Sequence, residues 1–203
     1  IWQANNRFLK LAAPLFSVEA FNPSGLTLIV GPRNEHDLLL FKSLGGSWRN
    51  TRGLDLISYS PKIDLGDMHS MPYSKNSFNT VICGWTLSYS DRPDLAVSEM
   101  LRVLKPGGAF VNVSILWDHF KFYGADEKLN EKVHDAFKAH CSHQMLPMEL
   151  PGKLKRRGFR NIKDKSLAFL ITRRDGNSPA RYTEEIMANF ALTQGMSEEE
   201  VSD

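Results

Sequence analysis

Residues 77–115 read SFNTVICGWTLSYSDRPDLAVSEMLRVLKPGGAFVNVSI, and their pattern predicts strand, helix, turn, strand. SFNTVICGW, 77–85, is a short apolar run with β-branched residues, the mark of a strand buried on both faces. Residues 91–104 repeat apolar side chains at helical spacing, with Leu95, Met100, Leu101 and Leu104 on one side and Asp91 placed to cap the start. KPGG at 105–108 ends that helix and turns the chain, and AFVNVSI at 109–115 is a second buried strand.

The same alternation extends upstream. LTLIV at 26–30 reads as a buried strand ending on Gly31. Residues 34–45 predict a helix with Leu38, Leu39, Phe41 and Leu44 on its apolar face, closed by Gly45-Gly46. TRGLDLIS at 51–58 is the next strand, and a short one comes after it near 62–66. Strands alternating with helices predict an α/β domain with a doubly wound, mostly parallel sheet. Downstream, 125–141 predicts a charged helix with Leu129, Val133 and Phe137 four apart, and 149–157 a further helix. NIKDKSLAFLITRR at 161–174 predicts two closing strands, too near each other for a crossover helix and so antiparallel. A last helix is expected at 181–194, then a frayed acidic tail, SEEEVSD. FLKLAAPLF, broken by Pro14, predicts a short helix within 1–20 that either lids the site or packs on the sheet. The expected organisation is one domain over 1–203, with its core at about 24–174.

Composition narrows the classes. Apolar residues make up 42% and charged residues 24% of 203, with a net charge of +2. That balance gives no electrostatic case for nucleic acid or an anionic membrane. The basic run KLKRRGFR, 153–160, reads as a solvated helix end. No apolar run approaches the ~18 residues of a membrane span. Cys83 and Cys141 make no C-x-x-C pair; their reduced look favours the cytoplasm. His134, His140, Cys141 and His143 lack the spacing of a zinc site, so no metal is expected. Oligomeric state is left open.

In open parallel sheets ligands bind beyond the carboxyl ends of the strands, at the point where strand order reverses. Four segments should meet there: Gly31 with the residues after it, Asp55, Gly66-Asp67-Met68, and Gly84-Trp85. Asp55 stands 24 positions after Gly31, near the ~20 expected of a carboxylate that reaches ribose hydroxyls. The G-x-G-x-x-G of a nicotinamide dehydrogenase is absent, because Pro32, Arg33, Asn34 and Glu35 come after the single glycine.

Residues 66–111, GDMHSMPYSKNSFNTVICGWTLSYSDRPDLAVSEMLRVLKPGGAFV, resemble the central block of class I S-adenosylmethionine methyltransferases, most of all the group that includes the ubiquinone and menaquinone methyltransferases. The family pattern runs roughly G-D-x-x-x-L-P-F, S-F-D-x-V and E-x-x-R-V-L-K-P-G-G; this chain aligns with it without a gap, and Glu99, Arg102, Val103, Leu104, Lys105, Pro106, Gly107 and Gly108 fall in place in its last part. The resemblance implies a Rossmann-like, seven-stranded sheet with its last strand antiparallel. It implies S-adenosylmethionine as cofactor, S-adenosylhomocysteine as product and a small-molecule methyl acceptor. By the same resemblance Asp55 would hold the ribose, Asp67 would accept from the adenine amine with Met68 beside the ring, Cys83 to Trp85 would line the methionine and acceptor side, and Gly31 would let the backbone approach the cofactor.

Departures stand beside the matches. Ile29 replaces the usual acidic residue two places before the glycine, Asn79 replaces an aspartate, and Ser88-Tyr89 replaces the common His-His pair. Pro32 fixes φ, so a rigid turn could present Arg33 to the methionine carboxylate. An oxygen acceptor would need a base, for which Tyr89 and His119 are the candidates. Asp67 has a plain alternative as the cap of an Asx turn into HSMPY. Trp85 is either a wall of the site or core, and Glu99 with Arg102 forms a helix pair. The reading is a methyltransferase; the alternative is a noncatalytic, methyltransferase-like interaction module.

Overall fold

The computed structural model describes residues 21–114, 116–117, 126–164 and 179–202. Five strands, β1 (Thr27–Val30), β2 (Thr51–Asp55), β3 (Ile63–Leu65), β4 (Phe78–Gly84) and β5 (Leu104–Val113), form one sheet in the order β3-β2-β1-β4-β5. Every pairing in it is parallel. The strand order reverses between β1 and β4, the point beyond whose carboxyl ends open parallel sheets bind their ligands.

Helix α1 (His36–Ser43) comes after β1, and α2 (Pro93–Val103) links β4 to β5. Beyond β5 come α3 (Glu127–Lys138), α4 (Leu146–Arg156), α5 (Pro179–Thr193) and α6 (Glu198–Ser202). Successive residues of a strand face opposite sides, and here both sides are covered. Leu28, Val30, Val81 and Cys83 join Ala96, Val97, Met100 and Val103 of α2 and Leu146, Leu150 and Leu154 of α4. Ile29, Ile82 and Val111 meet Leu38 and Phe41 of α1. Among the described residues no helix is long and apolar enough to cross a membrane.

Several expectations need correction. The sheet has five parallel strands among the described residues, where seven with an antiparallel last strand were expected. Of the expected closing pair, 161–164 is not strand, and 165–174 lies outside the described residues, as does the 1–20 helix. Asp91 does not cap α2; Arg92 is the cap residue, and its own side chain makes no capping hydrogen bond. The buried face of α2 is Ala96, Val97, Met100 and Val103, while Leu95 and Leu101 are exposed. Leu39 of α1 is exposed too. KPGG does not break the chain between helix and strand. It bulges within β5: Leu104 pairs with Phe78 and Ala109 with Thr80, so the extra residues loop out, with Gly107 at φ 77°. The acidic tail is not frayed: Glu198–Ser202 is helical, and Glu200 pairs with Lys132 of α3.

Candidate cofactor and acceptor site

The loop after β1 keeps a glycine-like backbone without the glycines. Gly31 has φ 71° and donates its N–H to Leu54 O at 2.8 Å. Two residues on, Arg33 has φ 58°. For a non-glycine residue this conformation costs about 1–2 kcal/mol, because its Cβ crowds the backbone. Two contacts hold it in place. The Arg33 N–H donates to Asp55 Oδ2 at 2.7 Å. Pro32 is buried, with its ring where a side chain on Gly53 of β2 would be: a Cβ at Gly53 would meet Pro32 Cγ at 2.8 Å. Asn34 Oδ1 then accepts the His36 N–H at 3.0 Å and leads into α1. Arg33→Gly should therefore raise stability by about 0.5–1 kcal/mol, since relief of strain outweighs the added freedom of the unfolded chain. At this chain length calorimetry should record a rise of ~1–4 °C in Tm.

Gly31 also makes room for a second turn. A Cβ there would lie 2.1 Å from Thr86 Oγ1, so the space is already taken by the turn after β4. That turn, a 3-10 turn at Thr86–Tyr89, starts from Trp85 at φ 58°, whose N–H donates to Val113 O at 2.7 Å. The turns after β1 and β4 thus touch. Trp85 packs with the α1-side core and Met68 with the α2-side core. Cys83 does not line the site: it is fully buried, and burial pushes its thiol up to about 12.

Asp55 ends β2 and keeps one oxygen lightly used, since among the described residues Oδ1 receives only Ile57 N–H at 3.4 Å. Asp67, after β3, is bonded on Oδ1 by the His69 N–H at 2.8 Å, an Asx turn, and by His69 Nδ1 at 2.6 Å. Its side chain stays 48% exposed. The backbone N–H of His69 holds this carboxyl below its ordinary range, with the ring adding to the effect and burial opposing it. Asp55 and Asp67 stand at the carboxyl ends of β2 and β3, which pair directly.

Tyr89 places its hydroxyl 3.0 Å from His140 Nε2. Around that histidine gather Phe137 at 4.6 Å, Phe190 at 4.8 Å and Trp117 at 6.4 Å between ring centroids. Burial pushes the His140 imidazole down, which favours its neutral, proton-accepting form. Sequence spacing marked His140 only as part of a polar helix end; its aromatic surroundings come from α3, α5 and Trp117, and no local pattern announces them. His119 lies outside the described residues.

Residues 47–112 match a family model described as a methyltransferase domain. A demethylmenaquinone methyltransferase of Renibacterium salmoninarum is 43% identical over 53 residues, which are 25% of this chain and 22% of that protein. The chain's matches span between 8% and 22% of the lengths of its curated relatives. Among solved structures, the YcgJ protein of Bacillus subtilis superposes with a TM-score of 0.57 at 17% identity, covering 95% of this chain and 86% of that one. The cyclase SpnF reaches 0.55 at 19% identity, covering 93% and 68%.

Proposed function

We propose, for a chain that has the class I S-adenosylmethionine methyltransferase fold and the family's domain match at its centre, that it binds S-adenosylmethionine above β1–β4 and moves its methyl group to a small molecule. One observation carries the reading. The β1 loop holds left-handed φ at Gly31 and at Arg33, where the family's glycines would be expected to allow it, and it does so at a cost in strain. Local strain of this kind persists where the surrounding structure demands it, and it clusters at ligand sites.

The residues fit the cofactor. Asp55 Oδ1 would receive the ribose hydroxyls, and Asp67 the adenine amine, with Met68 beside the ring. Arg33, exposed on its turn, would face the methionine carboxylate with a guanidinium fork. Gly31 would set the floor of the site, and Trp85 the wall between cofactor and acceptor. When bound, the sulfonium supplies the reactive methyl, so the protein's work is orientation and exclusion of water. Tyr89 would take the proton of a hydroxyl acceptor while passing its own to His140 Nε2. His119, six positions after the end of β5 in sequence, is proposed as a second base. We take the whole chain as one such domain.

A second reading has one observation behind it. Asp55 Oδ2 and Asp67 Oδ1 already accept from the chain's own N–H groups, as they would in a noncatalytic interaction module. The structural neighbour SpnF, a cyclase, also shows that fold alone does not name a reaction. Calorimetric titration with S-adenosylhomocysteine separates the readings. Micromolar binding is expected, with a gain of about 2.7 kcal/mol at a hundredfold excess over Kd, or ~5–10 °C in Tm. Absence of both heat and thermal shift would leave the module standing.

A further inference from the structure

His69 belongs to a chain of hydrogen bonds that meets the proposed cofactor contacts at Asp67. Its ring is only 10% exposed. Nδ1 lies 2.6 Å from Asp67 Oδ1, and Nε2 lies 2.7 Å from Ser90 Oγ. Ser90 is buried, and its Oγ also accepts the Arg92 N–H at 3.0 Å. These partners fit one of the two ring tautomers. With Arg92 donating to Ser90 Oγ, the serine O–H is free to donate to Nε2, and the ring proton then sits on Nδ1 and donates to Asp67. Both bonds from His69 fall on the same carboxylate oxygen. Among the described residues no hydrogen bond reaches Asp67 Oδ2.

We propose that His69 is the positioning residue of the adenine subsite: it pins Oδ1 so that Oδ2 is presented as a lone acceptor, selective for the amino group of a 6-aminopurine over the oxo group of a 6-oxopurine. The proposal rests on the cofactor reading above. Two donors on one oxygen keep the carboxylate from rotating, so Oδ2, which as part of an ionised carboxylate can only accept, is held in one geometry. An amine satisfies Oδ2, whereas a 6-oxo group places two acceptors face to face. Through Nε2 and Ser90 the same ring fastens this subsite to the 90–92 turn that opens α2, so adenine recognition and the segment after β4 share one support. The charged groups facing the ring are Asp67 and Asp91, whose Oδ1 lies 3.5 Å from Nε2. Arg92 adds a favourable charge toward Asp67.

The test compares the affinities of S-adenosylhomocysteine and S-inosylhomocysteine by calorimetry. The wild type should prefer the amino form by at least about tenfold, the effect of one hydrogen bond to a charged group. His69→Phe should bring the ratio to within about threefold. His69→Asn, whose amide nitrogen can stand in for Nδ1, should restore most of it. Ser90→Ala should lower it part of the way. A pH series gives a readout that bulk structure would not move. Without the ring donor the Asp67 carboxyl protonates more easily, so the acid loss of affinity should begin at higher pH in His69→Phe than in the wild type. A His69→Phe protein that keeps both the wild-type ratio and the wild-type acid limb overturns the proposal, and so does an unchanged ratio in both Ser90→Ala and His69→Asn alongside an unchanged ratio in His69→Phe. Failure of the wild type to bind either compound overturns the cofactor reading itself, and is recognised by being independent of position 69.

Discussion

Arg102→Met should lower the stability of the fold by about 2–3 kcal/mol, a fall of ~5–10 °C in Tm by scanning calorimetry. The guanidinium of Arg102 makes four hydrogen bonds: Nε to Glu99 Oε1 at 2.7 Å, Nη2 to Glu99 Oε2 at 2.8 Å, Nη1 to Tyr73 O at 2.7 Å and Nη2 to Met71 O at 3.0 Å. Glu99 Oε2 also accepts the Met71 N–H at 2.8 Å. Helix α2 thereby holds the segment 71–73, which runs straight on from Asp67 and Met68. Methionine keeps the apolar stem but leaves a carboxylate, only 16% exposed, facing two carbonyls without its cation. The expected loss falls short of the roughly 3–5 kcal/mol typical of a fully buried pair because Arg102 is itself 34% exposed and partly screened. The pH dependence has a definite sign. Glu99 is held below its ordinary value first by the Arg102 hydrogen bonds, with burial opposing and Met71 N–H assisting. A depressed carboxyl stabilises the fold above its unfolded pKa and loses that contribution as pH falls through the folded one. The gap between wild type and variant should therefore be widest near neutrality and shrink in acid. A gap of under about 1 °C at pH 7 would show that the network contributes nothing.

The order of strands and helices was largely legible because parallel strands buried on both faces read as apolar runs, and Gly31 and Gly45 punctuate them. The helix pair Glu99–Arg102 was legible from its spacing alone. The features that escaped depend on contacts between distant segments. Residue type gives no sign that Arg33 sits at positive φ; that depends on Asp55 and Gly53, some twenty residues on. The inward face of α2 was misjudged because leucines at 95 and 101 outweigh Ala96 and Val97 in any hydrophobic pattern, although the small residues are the ones close to the sheet. KPGG looks like a stop signal, yet pairing with β4 on either side of it decides that it is a bulge. The carboxylates Asp55 and Asp67 were identifiable as candidates, but which oxygen each had left over was not. That depends on Arg33 and His69, and the partnership of Tyr89 with His140 depends on α3 meeting the turn after β4.

Asp55→Ala is expected to weaken S-adenosylhomocysteine binding by about a hundredfold or more. Two ribose hydroxyls donating to a charged acceptor are worth about 1.5 kcal/mol each at the lower end, and about 1.4 kcal/mol is a factor of ten. The substitution also removes the acceptor of the Arg33 N–H, which restrains the left-handed turn, so binding and loop order fall together unless they are separated. Asp55→Asn separates them. Its amide oxygen can still accept from Arg33, and the loop should hold with Tm within about 2 °C of the wild type, the change produced by roughly 0.5–1 kcal/mol at this size. Its amide nitrogen donates instead of accepting and its charge is gone, so affinity should still drop, by about tenfold. A graded loss in that order, alanine below asparagine below aspartate, identifies the carboxylate as a ligand and not merely a brace for the loop. Equal affinity in all three proteins, with the wild type binding, would move the ribose away from β2 altogether. It would leave Asp55 a single role, restraining the left-handed turn at Arg33.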